Sequence, residues 1–203
     1  MLSKVKIRYL FHFLFIVSAL FSVIRAEIFP VTDIMTNGAQ DSRVNIVFLG
    51  DGYTQEQMDE YLSDVEDVVS GLFAAVPYSN YINHFNVYAV HVPSNESGTD
   101  HPGTASDCGN EDVFYSDTYF DSSFDMYGIH RLLAIQNSSA AYDVLIDNTP
   151  QWDIAFLMVN TTMYGGSGGP FATFSRHYDS IEIAIHEIGH SFAGLSDEYW
   201  AGF

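Results

Sequence analysis

The sequence predicts an α/β domain built on a mostly parallel, twisted sheet. VNIVFLG (44–50), FNVYAVHV (85–92) and WDIAFLMVN (152–160) are short, continuously apolar runs, as strands buried on both faces require. Between the first two, Met58, Leu62, Val65, Val69 and Leu72 recur at helical spacing. Strand, helix and strand in that order imply a crossover, and hence parallel pairing.

The first 26 residues stand apart from this pattern. Lys4, Lys6 and Arg8 precede the apolar run YLFHFLFIVSALFSVI, and Ala26 offers a small residue for cleavage. This order reads as a secretory signal peptide over 1–26 rather than a membrane anchor, because the run is short and His12 interrupts it. The rest, 27–203, reads as a single domain with no stable membrane span, released to the extracellular space or periplasm.

In the first strand, Gly50 closes the run and GDGY turns the chain. Thr54 and Gln57 have capping-box spacing and open a helix that ends before Pro77. Residues 93–127 are rich in Ser, Asp, Gly and Tyr and predict a long surface excursion. RLLAI (131–135) is a short candidate strand, and Ser139 is the candidate cap of a helix that stops before Pro150. YGGSGG predicts a flexible loop, FATFSRH (171–177) an edge strand, and residues 180–193 a last helix. YGGSGG lacks the Gly-Lys-Ser/Thr ending of a phosphate loop.

Charge narrows the partners. After the leader the chain has three arginines, no lysine and 26 acidic residues. Such a surface repels phosphate backbones, which argues against nucleic acid. Its bland reading is a solvated acidic face. Calcium is the sharper one, but no EF-hand spacing is present. Cys108 stands alone, so an internal disulfide and a thiol-based zinc cluster are not expected, and burial is its expected fate.

The chemistry concentrates in HEIGHSFAGLSDEY (186–199). His186 and His190 are one helical turn apart, so both rings can reach one metal. Neutral imidazole binds zinc at about 2.0–2.1 Å. Glu187 follows the first histidine and is placed to act as general base on a zinc-activated water. Ile183, Ile185, Ile188 and Phe192 offer an apolar packing surface, Gly189 allows close helix packing, and Gly194 suits a C-terminal cap.

HEIGHSFAGLSDEYW resembles the IgA-peptidase-type metallopeptidase family. IVFLGDGYTQEQMDEY, FNVYAVHVPSNESGTDHP and VNTTMYGGSGG are similar to that family's other signature blocks, in its order. The resemblance implies a secreted zinc endopeptidase with a metzincin-like catalytic domain, acting on protein or peptide substrates. It implies a glycine turn that returns a third ligand to the metal, and a cleft along YGGSGG and the following strand. An extended peptide could pair with an edge strand there. The metzincin signature HExxHxxGxxH places its third ligand three residues after its glycine. Here Gly194 comes one residue later, and Asp197 again lies three residues beyond it. Asp197 is therefore the candidate third ligand. Glu198 is the alternative, with a second possible job of orienting a histidine ring. Tyr199 could pack or donate a hydrogen bond. Met163 precedes the helix and no methionine turn follows it before Phe203, so a C-terminally truncated catalytic domain is the expectation. A non-catalytic binding domain derived from a peptidase, or a zinc amidase or deacetylase, is the alternative.

Export with cleavage after Ala26 is expected to leave Glu27 as the first residue. Mass spectrometry of secreted material checks this, and an intact Met1 on exported protein would reject the leader.

Overall fold

The computed structural model describes residues 26–197. Residues 1–25, almost all of the expected leader, and the segment Glu198 to Phe203, which includes the alternative ligand Glu198 and Tyr199, lie outside the described residues.

The strands are β1 (Val31–Met35), β2 (Val44–Asp51), β3 (Phe85–Val90), β4 (Ser122–Ser123), β5 (Ala134–Ile135), β6 (Ile154–Val159), β7 (Gly166–Ser167) and β8 (Ala172–Ser175). The α-helices are α1 (Met58–Ala74), α2 (Tyr78–Tyr81), α3 (Ser138–Asn148) and α4 (Ser180–Ala193). Six strands form the main sheet in the order β1-β3-β2-β6-β8-β7, while β4 and β5 pair separately. β3, β2, β6 and β8 run parallel, and antiparallel β1 and β7 close the two ends.

Side-chain alternation assigns two cores. Ile46, Phe48, Val87, Phe156 and Phe174 face α1 and α4. Val47, Leu49, Val90, Leu157 and Val159 face α3 and the excursion with the segment that follows it, which contribute Phe120, Phe124 and Leu133. Both faces of the sheet are covered, which is why its central strands read as unbroken apolar runs.

α1 opens on the predicted capping box of Thr54 and Gln57, through a short 3-10 turn at Gln55–Gln57. Gly71 on α1 marks a close approach to α4: a Cβ there would meet the branched side chain of Ile181 at 2.6 Å. Gly189, the expected site of close packing, would meet only Leu195, at 3.7 Å. The small residue that lets the helices approach is thus on the partner helix.

Three other expectations change. β1 was not foreseen, because VTDIM is half exposed and pairs only at the sheet's end. Asn137, not Ser139, caps α3 by accepting from the Ala140 amide. FATFSRH is not an edge strand: YGGSGG folds back as β7 and covers β8. No described helix is long and apolar enough to cross a membrane.

The excursion is tied to the sheet by a buried carboxylate. Asp51, at the end of β2, accepts from the Phe120 amide at 2.8 Å, the Ser122 amide at 3.0 Å and the Thr118 hydroxyl at 2.9 Å. Removing it would orphan buried donors. Asp51→Ala is expected to cost about 2–4 kcal/mol in denaturant melts, and Asp51→Asn less, since one acceptor oxygen remains. Gly71→Ala is expected to cost about 1–3 kcal/mol by overpacking. A Gly71→Ala/Ile181→Ala double variant should recover part of that loss, which a double-mutant cycle measures.

Candidate metal centre on the last helix

α4 buries Ile183, Ala184 and Ile188 against the sheet. With that face fixed, the helical period turns His186 and His190 outward into a cleft of about 330 Å³. The cleft floor is Gly166, Ser167 and Gly168; its far wall includes Tyr127, Ile129 and Arg131. The glycines are needed for closeness. A Cβ at Gly168 would lie 2.5 Å from His190 Cβ, and one at Gly166 would lie 3.0 Å from Glu187 Oε1.

Gly194 ends the helix in the left-handed region, at φ 64°, and its amide bonds back to the Gly189 and His190 carbonyls. The chain reverses, and Asp197 returns over the histidines. His186 Nε2 and His190 Nε2 are 3.1 Å apart, and Asp197 Oδ1 lies 3.2 Å from the first and 3.4 Å from the second. Ligands at about 2.0–2.1 Å from a tetrahedral ion are about 3.3–3.4 Å apart, so this triangle has the size such an ion needs.

The donor chemistry fits as well. His190 Nδ1 donates to the Leu195 carbonyl at 2.7 Å, which leaves the Nε2 lone pair facing inward. An imidazole lone pair, a second imidazole and a carboxylate then converge, and a cation among them would be well matched to these donors. Zinc's usual nitrogen and oxygen donors are of this kind. Glu187 lies beside the triangle and is buried, 7% exposed. Burial pushes its carboxyl up to about 7, Asp197 adds to the rise, and His190 opposes it.

A family model for IgA Peptidase M64 matches residues 32–203. The chain belongs to the IgA peptidase M64 family. Among curated proteins, no relative matches it.

M64 membership makes the protein a peptidase of a metallopeptidase family, and the geometry shows where its sequence-predicted residues lie. His186, Glu187, His190 and Asp197 all meet in one cleft. Two contributors escaped the sequence reading. The Leu195 carbonyl accepts from His190 Nδ1 and orients that ring, and a backbone acceptor leaves no mark in a side-chain pattern. The outer edge of β7 is also not free at Gly166. Its amide donates to the Arg131 carbonyl at 3.2 Å, and its carbonyl accepts from the Leu133 amide at 3.4 Å. An extended peptide therefore cannot pair with the sheet at Gly166.

Gly168→Ala is expected to displace His190 and to weaken divalent-cation binding at least tenfold, with little change in far-ultraviolet circular dichroism. Competition against a chromophoric chelator measures the affinity, and unchanged binding would show that His190 does not depend on this close contact.

Proposed function

We propose that this M64 peptidase is a secreted zinc endopeptidase of metzincin-like arrangement. His186, His190 and Asp197 would hold the metal, and Glu187 would be the general base. The observation that supports this most is the triangle of Nε2, Nε2 and Oδ1 atoms at 3.1–3.4 Å, with a buried carboxylate beside it in an open cleft. Two imidazoles and one carboxylate leave an open fourth position, the pattern of catalytic rather than structural zinc.

When bound, zinc supplies Lewis acidity: it lowers the pKa of water and polarises a peptide carbonyl. The chain's own residues supply the rest. The Leu195 carbonyl fixes His190 in the tautomer that offers Nε2. Asp197 adds the negative charge that two neutral rings lack. Glu187 takes the proton of the attacking water at its carboxylate and returns it to the leaving amine nitrogen. Gly166 and Gly168 keep the cleft floor low enough for a peptide backbone to approach.

Glu187→Gln is expected to retain zinc and lose peptide hydrolysis by about a hundredfold or more, since the amide cannot accept the proton. Asp197→Ala is expected to release the metal. Casein cleavage by the full chain, with and without chelator, reads out the first, and zinc analysis the second. Near-wild-type turnover in Glu187→Gln would overturn the base. Chelator-resistant cleavage would overturn the metal dependence. Bound zinc without any peptide cleavage would favour an amidase or a binding domain instead.

A further inference from the structure

A second set of metal-ligating groups lies in the excursion, away from α4. His101, Cys108, Asp125 and His130 each present a ligating atom, and these atoms all lie within 4.8 Å of one another. His101, Cys108 and Asp125 are buried, and the His130 side chain is 18% exposed. His101 Nε2 is 3.2 Å from Cys108 Sγ, and His130 Nδ1 is 3.0 Å from Asp125 Oδ1. The Glu111 carboxylate approaches both rings, 3.8 Å from His101 Nε2 and 3.4 Å from His130 Nε2.

The loops that carry these groups are held by the backbone. His101 and Phe114 exchange both amide–carbonyl bonds, at 2.9 and 3.1 Å. Asp125 sits at a left-handed position, φ 63°, and its Oδ2 accepts from the Thr104 amide at 2.6 Å. His101 Nδ1 donates to the Asp112 carbonyl at 2.6 Å, so its Nε2 lone pair points at Cys108. This is the outer hydrogen bond that metal-binding imidazoles use to fix their tautomer.

A nucleophilic Cys–His pair is the rival explanation. It requires an accessible thiolate. Here the Cys108 side chain is buried, only 5% exposed, so a substrate has no access to it. Hydrogen bonding alone is the other rival; it accounts for each close pair, His101 with Cys108 and His130 with Asp125, but it does not by itself draw all four ligating atoms within 4.8 Å of one another. A cation does: it compensates the buried acceptors and favours the thiolate.

We propose that His101, Cys108, Asp125 and His130 form a second, structural zinc site. One thiolate, two imidazoles and one carboxylate are zinc's donor types, and four protein ligands close the coordination shell. A single thiolate joined to nitrogen and oxygen donors is a case that the expectation of no thiol-based zinc cluster leaves aside. The ion would cross-link an excursion that has little regular structure. It would also brace the far wall of the α4 cleft. Tyr127 and Ile129 lie between Asp125 and His130, and Arg131 and Leu132 follow directly; all four line that cleft.

The chain's single cysteine makes the test specific. Metal-free full-length protein is titrated with Co²⁺ alone and followed by absorption. The expected result is a saturable near-ultraviolet sulfur-to-cobalt charge-transfer band. Cys108→Ser and His101→Ala should abolish it, and His190→Ala should leave it. The two sites share no residue, so the band reports this one even if α4 binds nothing. No band in the wild-type protein, or a band indifferent to His101→Ala, would overturn the proposal. If a variant fails to fold, zinc X-ray absorption of the wild-type protein decides. A sulfur scatterer at about 2.3 Å supports the site, and a shell of only nitrogen and oxygen rejects it.

Discussion

The site depends on the packing of one helix. α4 must bury Ile183, Ala184 and Ile188, and that requirement alone decides which face carries chemistry. Residues one turn apart on the opposite face then look into the cleft together. The approach has to be close on two sides: Gly71 leaves room for Ile181, and Gly166 and Gly168 leave room for Glu187 and His190. The helix is therefore held between α1 and the β7 hairpin with little freedom to slide. The proposed metal triangle, with edges of 3.1–3.4 Å, would tolerate little sliding.

The same economy governs the excursion. Its apolar contribution, with that of the segment that follows it, is a few residues, chiefly Phe120, Phe124 and Leu133. Much of its order comes from polar groups that are buried and satisfied. Asp51 receives the amides of Phe120 and Ser122, and Asp125 receives Thr104. A charged acceptor makes stronger hydrogen bonds than a neutral one, so such anchors suit an acidic chain with few apolar residues to spare in this region. The α4 cleft takes its far wall from this polar-anchored segment, and the shape of the site rests on both kinds of order.

Much of this was legible in the sequence. The central strands were visible because a doubly covered parallel sheet demands unbroken apolar runs. α4 was visible from its first residue to Gly194, since helical period and a glycine cap agree. The turn register measured from Gly194 points to Asp197, with Glu198 as the alternative; Asp197 lies 3.2 and 3.4 Å from the two histidines, while Glu198 lies outside the described residues. Other features were hidden for physical reasons. β7 is made of Gly166 and Ser167, whose pairing comes from folding back on β8, not from propensity. β1 is only five residues long, and VTDIM shows no clean alternation. The donors His101, Cys108, Asp125 and His130 sit in loops at unequal separations, so no helical or strand period links them. The loop pairing of His101 with Phe114, the turn at Asp125 and backbone bonds such as Phe124 to Asp100 bring them together.

The central claim is that three side chains from one helix and its returning turn bind a single ion. Anomalous diffraction at the zinc edge, on crystals of the protein grown with zinc, tests it most directly. The account predicts an ion bound by His186 Nε2, His190 Nε2 and Asp197 Oδ1, with Glu187 beside it and not ligating. An ion held by Glu198 in place of Asp197, or no ion between the two histidines, would contradict it.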